Sequence, residues 1–202
     1  MNSRMRSTLG LCLLLVTAAW HPSRGRPTTP ADDLTLLSES TLWFEGSSTL
    51  RDWSCKATAM SAHIEARDGA TAAVIAGNKA VRAVEFTVPA GTLECGNAIM
   101  NEHMMKALDG DTYPTITFTL QDYTLTPGTP LTGTLRGTLL LRGQTKPVAI
   151  PAEFKAAPGG ALRVTGAYPL RMTDWSVKPP TLMMGSIKVG PLVTVKFSLL
   201  LK

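Results

Sequence analysis

Residues 131–154 read LTGTLRGTLLLRGQTKPVAIPAEF, and this stretch decides the fold class. Side chains two residues apart share one face of a β-strand. The first half therefore predicts a strand whose inner face is built from leucine and glycine: Leu131, Gly133, Leu135, Gly137, Leu139 and Leu141. Gly143 opens a turn predicted over residues 144–147, and the alternation resumes at Val148, Ile150, Ala152 and Phe154. Glycine on an inner face favours a strongly curved sheet. Two occupants of the space beside Gly133 and Gly137 are compatible with the sequence: neighbouring side chains or a ligand.

The same two-residue alternation recurs along the chain. Further strands are predicted in residues 41–46, 53–64, 84–88, 115–120, 162–172 and 193–201. Turn signals rich in glycine and proline separate them, for example Pro127-Gly128 and Pro179-Pro180. About eight strands with few helices indicate an all-β antiparallel barrel or sandwich. We predict a single domain over residues 34–202, which is long enough for a sizeable core.

One segment, residues 97–108, has helical rather than strand periodicity. Met100, Met104 and Leu108 recur every four residues, Asn97 is a suitable N-cap, and Gly110 is predicted as the C′ residue that ends the helix. Two interpretations of the methionines stay open. They contact an apolar ligand, to which methionine adapts well, or they plug one end of the barrel as ordinary core.

Residues 1–25 have the pattern of a secretory signal peptide. Arg4 and Arg6 precede a short apolar run, and small residues follow it. The run is shorter than the roughly 20 residues of a membrane-spanning helix, and a buried N-terminal helix is the alternative. We predict cleavage after Ala19 or Gly25, a flexible lead-in over residues 26–33, and a protein that is periplasmic or secreted and not membrane-spanning.

The charge of the chain is partly a property of that signal peptide. Residues 1–25 contain Arg4, Arg6 and Arg24 and no acidic residue, so their removal lowers the formal charge from +5 to +2. Nucleic-acid binding normally uses a clustered basic face. We therefore predict no nucleic-acid partner.

Cys55 and Cys95 are the cysteines that remain outside the predicted signal peptide. In an exported chain a lone pair favours a disulfide, and two buried free thiols are the alternative. The absence of a C-x-x-C motif disfavours a redox function.

Catalytic signatures are missing from the sequence. His63 and His103 have no second ligand at metal-binding spacing. The chain also lacks a G-x-S-x-G motif, a P-loop and a dinucleotide fingerprint. We predict no catalytic residues, no metal and no resident cofactor, hence a binding protein rather than an enzyme.

Three segments, in order along the chain, resemble the YceI-like family of exported polyisoprenoid-binding proteins. LRGTLLLRGQTKPVAIPAEF resembles the family's strand, G-x-TKPV turn and strand. MNEHMMKALDGDTYPTITFTL resembles its helix followed by a YP-x-ITF strand, and VTGAYPLRMTDWSV resembles a later strand and turn ending in R-x-T-D. The resemblance covers residues 34–202. In the early strands Trp53 and Cys55 occur where many members carry a histidine.

This resemblance implies a single extended, eight-stranded, lipocalin-like antiparallel barrel with one short helix at about residues 97–108. It also implies an interior that holds a long isoprenoid or quinone-type lipid. A barrel of about eight strands is just wide enough for one small ligand. The oligomeric state stays open, with a homodimer as one alternative.

We predict an exported lipid carrier or storage protein whose apolar ligand contacts inward-facing side chains. The predicted ligand-binding residues are Leu42, Phe44, Trp53, Met100, Met104, Phe118, Leu135, Leu139, Val164 and Phe197. The first alternative is a packed structural or stress-response barrel that meets a protein partner through outward Trp43 and Leu140. The second is an enzyme at the barrel mouth that uses His103, Arg171 and Asp174.

Overall fold

The computed structural model describes residues 32–202. The predicted signal peptide and the first part of the predicted lead-in lie outside the described residues. The backbone of the last two lead-in residues, Asp32 and Asp33, pairs with Ala66 and Glu65 as a short strand.

The described residues form one antiparallel sheet with few helices. The strands are β1 (Asp32–Asp33), β2 (Thr41–Ser48), β3 (Asp52–Ala57), β4 (Ser61–Ala66), β5 (Val81–Pro89), β6 (Leu93–Glu94), β7 (Thr115–Thr126), β8 (Leu131–Leu141), β9 (Gln144–Ala157), β10 (Ala161–Arg171), β11 (Thr181–Leu182) and β12 (Ile187–Leu201). The α-helices are α1 (Ala70–Ile75) and α2 (Ala98–Leu108). Hydrogen-bonded neighbours follow the order β1-β4-β5-β7-β8-β9-β10-β12-β2-β3-β6, and β11 pairs with β12.

The residues just after β1 close this sheet into a barrel. The Leu34 N–H donates to the Ile64 carbonyl of β4 at 3.1 Å, while Leu36 bridges Leu201 of β12. This segment therefore joins two strands that the rest of the sheet leaves apart. The predicted all-β, lipocalin-like antiparallel barrel is confirmed.

The predicted strand over residues 53–64 is two strands. β3 pairs with β2, whereas β4 pairs with β5 and β1. The two halves therefore have different hydrogen-bonded neighbours in the sheet. The break falls at residues 58–60, where the Thr58 N–H and hydroxyl both donate to the Thr92 carbonyl at 2.8 Å.

The hairpin between β8 and β9 is tighter than predicted. The turn consists of Arg142 and Gly143, with φ of 48° and 70°, and Gln144 already pairs with Leu141. The predicted turn over residues 144–147 is therefore wrong. A two-residue hairpin loop with positive φ at both positions matches the twist of its flanking strands, and a strand begins immediately after it.

Helix α2 begins and ends close to the predicted bounds. The Asn97 side chain accepts a hydrogen bond from the Met100 N–H at 2.9 Å, which caps the helix as expected. At the other end Asp109 adopts the left-handed conformation (φ 53°), so the prediction of Gly110 as the C′ residue is wrong by one position. Gly110 instead makes room for the Met105 side chain, which lies where a Cβ atom would be.

A short 3₁₀ turn, Met172–Trp175, fills a split in the wall. β9 and β10 pair only from Ala152↔Gly166 to Ala157↔Ala161. Beyond that point the buried Trp175 packs with Leu141 and Val148, and its indole N–H donates to the Leu139 carbonyl at 3.2 Å. No helix among the described residues is long and apolar enough to cross a membrane.

Candidate ligand-binding cavity

The barrel encloses an apolar cavity of about 450 Å³, within the usual range of 300–1,000 Å³ for ligand pockets. Its walls come from the inner faces of β2, β3, β4, β5, β7, β8, β9, β10 and β12, together with α1 and α2. Polar side chains are few in this lining: Ser48, Arg51, His103, Tyr123 and Tyr168. The interior is therefore hollow and almost wholly hydrocarbon.

All ten residues predicted to face a ligand line this one cavity. Val164 and Phe197 are buried, whereas Leu135 and Leu139 are only half-buried although they point inward. An inward side chain that keeps accessible surface borders a void rather than close-packed atoms. The structure thus brings the predicted residues together, and their contact with a ligand stays a prediction.

The aromatic side chains of β2 and β3 form one part of the lining. The rings of Phe44 and Trp53 meet edge to face, with centroids 6.0 Å apart and planes at 81°. The indole N–H of Trp53 donates to the Ser47 carbonyl at 3.2 Å, which satisfies its polar group and leaves the ring for apolar contact.

Atoms of neighbouring strands fill the space beside Gly133 and Gly137. A Cβ atom at Gly137 would lie 2.9 Å from ring carbons of Phe118, and one at Gly133 would lie 3.1 Å from the ring of Phe154. The glycines let these two phenylalanines lie close to β8, and both rings line the cavity.

Helix α2 covers the side of the cavity between β3 and β5. Met100, His103 and Met104 line the cavity from this helix. Met104 also packs with the core residues Phe86 and Val88, as the core interpretation expects, and contact of the methionines with a ligand stays a prediction.

A disulfide fixes the N-terminal approach to α2. Cys55 of β3 and Cys95 are bonded, with Cα atoms 4.0 Å apart, as predicted. Both cysteines are buried and line the cavity, and the Cys95 sulfur lies 3.5 Å from the Met104 sulfur. The bond therefore ties the covering helix to the barrel wall.

One end of the cavity is closed by α1 and by the ends of several strands. Val74 of α1 is buried and belongs to the same core cluster as Leu201. Tyr123 closes the wall nearby, since its hydroxyl accepts hydrogen bonds from the Ala80 N–H at 2.8 Å and the Val81 N–H at 3.1 Å. Sequence reasoning missed α1 and the role of Tyr123.

The opposite end, where β2 meets β3 and β12 begins, forms a mouth. Ser48 and Arg51 line it, and so does Leu50, whose side chain is 69% exposed. Leu182 and Ile187 line the cavity from the facing loop. A residue that both borders a cavity and faces solvent marks an opening, so an elongated guest can enter here.

Tyr168 contributes a phenol to the cavity lining. Burial raises its pKa above the ordinary value of 10.0, and the nearby Asp174 carboxylate adds to the shift. Tyr168 is therefore neutral at physiological pH and offers a hydroxyl, not a charge, to the cavity.

The residues of the alternative hypotheses are placed differently. His103 lines the cavity, whereas Arg171 and Asp174 are exposed and do not belong to the lining. Trp43 and Leu140 are half-buried, not exposed as predicted, and the Trp43 indole N–H donates to Glu45 at 2.9 Å. Among the described residues no group of three or more His, Cys, Asp or Glu side chains is arranged to hold a metal ion.

Comparison with known proteins identifies the family of this chain and other proteins that share its fold. A family model described as the YceI-like domain matches residues 37–201. A search of curated protein sequences found no match.

Solved structures share this architecture at low sequence identity. BcnA from Burkholderia cenocepacia superposes with a TM-score of 0.64 at 18% identity, covering 85% of this chain and 99% of that chain. A polyisoprenoid-binding domain from Saccharophagus degradans, implicated in plant cell wall breakdown, gives 0.59 at 16% identity, covering 84% and 97%. A YceI protein from Campylobacter jejuni gives 0.56 at 15% identity, covering 72% and 82%.

Proposed function

This chain belongs to the YceI-like family, and from that premise we propose that it is an exported protein that holds one long apolar chain, of isoprenoid or quinone type, inside its barrel. The observation that carries the proposal is the hollow apolar interior of about 450 Å³. A protein that needs only a stable barrel has no reason to leave its centre unfilled, because voids forfeit packing energy.

The chemistry of the lining supports a hydrocarbon guest. Each methylene group that leaves water for such a cavity contributes about 0.8 kcal/mol, so a chain of many methylenes needs no charged partner for affinity. The polar side chains Ser48 and Arg51 lie at the mouth. A guest with one polar end therefore places its tail among residues such as Phe118 and Phe197 and its head toward Arg51.

The relative from Saccharophagus degradans supports this class of ligand, since it is itself a polyisoprenoid-binding domain. The distance between the two sequences, at 16% identity, leaves the ligand of this chain as our inference.

We further propose that the protein binds its guest without changing it chemically. His103 is the imidazole in the lining, and the carboxylate and guanidinium that would complete an acid–base site, Asp174 and Arg171, are outside it. The lipid released from the protein is then the same compound that entered.

Export is the remaining part of the proposal. The signal-peptide pattern of residues 1–25 supports it, and so does the Cys55–Cys95 disulfide, because such bonds persist in oxidising compartments. Mass measurement of the protein recovered from the periplasm or medium tests this point. A chain that begins after Ala19 or Gly25 is expected, and an intact Met1 in a cytoplasmic fraction would refute it.

Native mass spectrometry of the purified protein, followed by organic extraction, tests the binding function. We expect one apolar molecule of isoprenoid or quinone type per protein, identical before and after incubation. After extraction, the empty protein should take up a quinone with a long isoprenoid tail at a ratio of one to one. Absence of any apolar ligand, together with no uptake of the quinone, would refute the proposal.

A further inference from the structure

Two loops beside the cavity mouth form one connected surface, which we call the tip: residues 49–51 and residues 181–188. The Thr49 N–H donates to the Lys188 carbonyl at 3.0 Å, and the Thr49 hydroxyl donates to the Ser186 carbonyl at 3.1 Å. The same hydroxyl accepts a hydrogen bond from the Lys188 N–H at 3.1 Å. The two loops therefore hold a fixed position relative to each other.

The tip concentrates exposed apolar side chains. Six large apolar side chains are exposed among the described residues, and the tip contains three of the four that are more than 60% exposed. Leu50 is 69% exposed, Met183 is 72% exposed and Met184 is fully exposed. Single exposed apolar residues are common on proteins, but a group of them beside a ligand opening indicates an interaction surface.

The backbone holds the two methionines outward. Met183 and Met184 have φ of 48° and 51°, a conformation that residues other than glycine adopt uncommonly. Their neighbours along the chain, Leu182 and Ile187, line the cavity instead. The loop thus turns its apolar side chains in two directions, one set into the cavity and one set into solvent.

The charged side chains within the tip are both cationic. Arg51 and Lys188 are exposed, and residues 49–51 and 181–188 contain no acidic residue, although the exposed Asp52 follows Arg51. Basic groups beside apolar groups suit the surface of a bilayer, whose anionic headgroups attract the cations while its interface accepts the apolar side chains.

We propose that the tip docks on an anionic lipid bilayer, with Leu50, Met183 and Met184 in the interface and Arg51 and Lys188 against the headgroups. This inference rests on the proposed lipid-binding function and extends it to the source of the ligand. Docking aligns the cavity mouth with the bilayer, so an apolar chain passes between them without crossing water. Continuity between the tip and the mouth favours a bilayer over a protein partner.

Co-sedimentation with vesicles tests this proposal. The purified protein is mixed with vesicles of phosphatidylcholine containing about one third phosphatidylglycerol, a composition chosen for its negative surface charge. We expect wild-type protein to partition onto these vesicles and the double variant Met183→Asn, Met184→Asn to partition about tenfold less. Asparagine tolerates positive φ, so this variant keeps the loop conformation.

A control variant and a charge variant separate the apolar and the electrostatic contributions to vesicle binding. Ile99→Ser changes an apolar side chain that is 68% exposed on α2, outside the tip, and should leave partitioning as in the wild type. Arg51→Gln with Lys188→Gln should lower partitioning on anionic vesicles, as should high salt, because ions screen exposed charges.

The outcomes distinguish the docking surface from the binding function. Wild-type protein that carries a lipid but ignores vesicles, or a methionine variant that partitions as well as the wild type, would overturn the docking proposal alone. So would self-association of the wild type that the methionine variant abolishes in sedimentation experiments without vesicles, because the tip would then be an interface between copies. Vesicle binding that the methionine variant loses supports docking, even if the protein carries no lipid. Absence of a bound lipid would count only against the proposed lipid-binding function.

Discussion

Gly137 of β8 lies directly against the ring of Phe118 on β7: a Cβ atom at Gly137 would be 2.9 Å from two carbons of that ring. The carbonyl oxygen of Thr119 is closer still to the same position. Phe118 lines the cavity, so the missing side chain of one strand sets the position of an aromatic side chain on the next. The shape of the cavity wall depends on this glycine.

Gly137→Ala should therefore destabilise the barrel. The Phe118 ring can yield, but the Thr119 backbone oxygen cannot move without disturbing the pairing of β7 with β8. Overpacking of this kind typically costs about 1–3 kcal/mol in the free energy of unfolding, which urea denaturation measures. The matched control is Gly91→Ala, since a Cβ atom there meets nothing within 4 Å. Equal stability of the two variants would contradict the account.

Loss of the Cys55–Cys95 disulfide should destabilise the protein without unfolding its sheet. The bond closes a loop of 40 residues, which corresponds to about 3–4 kcal/mol in the chain-entropy model. We expect Cys55→Ala with Cys95→Ala to lower the free energy of unfolding by that order. Wild-type protein measured in dithiothreitol serves as the control and should approach the double variant. No difference between oxidised and reduced wild type would argue against the bond.

Removal of the Tyr123 hydroxyl should lower the free energy of unfolding. Tyr123→Phe leaves the buried N–H of Ala80 without its acceptor, and an unsatisfied buried donor costs about 1–3 kcal/mol. Thermal or urea unfolding measures the loss. Tyr113→Phe is the comparison, because Tyr113 is 37% exposed and its hydroxyl can turn to water. A larger loss for Tyr113→Phe than for Tyr123→Phe would contradict the assignment.

The pKa of Glu45, on the outer face, should lie below the ordinary value for glutamate. The hydrogen bond from Lys196 at 2.6 Å is the main cause of its lowered pKa, and the bond from Trp43 adds to it. Because the folded-state pKa lies below 4.5, the stabilisation is present above that pH and is lost as the pH falls through the folded-state value. Lys196→Met should return the pKa toward 4.5 in an NMR titration.

Asp122 provides the internal control for that titration. Its pKa is lowered mainly by the hydrogen bond from Lys79, which the change at Lys196 does not touch. The titration of Asp122 should stay as in the wild type, while that of Glu45 moves upward. An unchanged Glu45 in the Lys196→Met variant would show that the ion pair does not form in solution.

Alternation and capping made much of this architecture predictable from the sequence. The inner face of β8 is the predicted one because every second residue must face inward in a curved sheet. Helix α2 begins where predicted because Asn97 offers a strong local signal. Strand alternation also identified eight residues that line the cavity, and helical spacing identified the other two, Met100 and Met104.

Long-range pairing decided what the sequence did not reveal. Residues 58–60 read Thr-Ala-Met and contain no glycine or proline, so the break between β3 and β4 has no local signal. Arg142 enters the left-handed region because the pairing of Leu141 with Gln144 requires a two-residue turn, against the preference of arginine itself. Alternation also cannot tell a packed interior from a hollow one, because Leu135 reads the same in both.

The central claim is that an apolar chain lies inside the barrel, and a blocking variant tests it most directly. Leu135→Trp replaces a half-buried side chain on the cavity wall by a larger ring that projects into the cavity. Arg136→Trp places the same ring on the exposed face of the same strand. Protein freed of its lipid is titrated with an isoprenoid-tailed quinone, and quenching of tryptophan fluorescence reports the uptake. We predict uptake at one to one by the wild type and by Arg136→Trp, and a loss of at least about tenfold in affinity for Leu135→Trp, or roughly 1.4 kcal/mol. Equal uptake by all three proteins would contradict the claim.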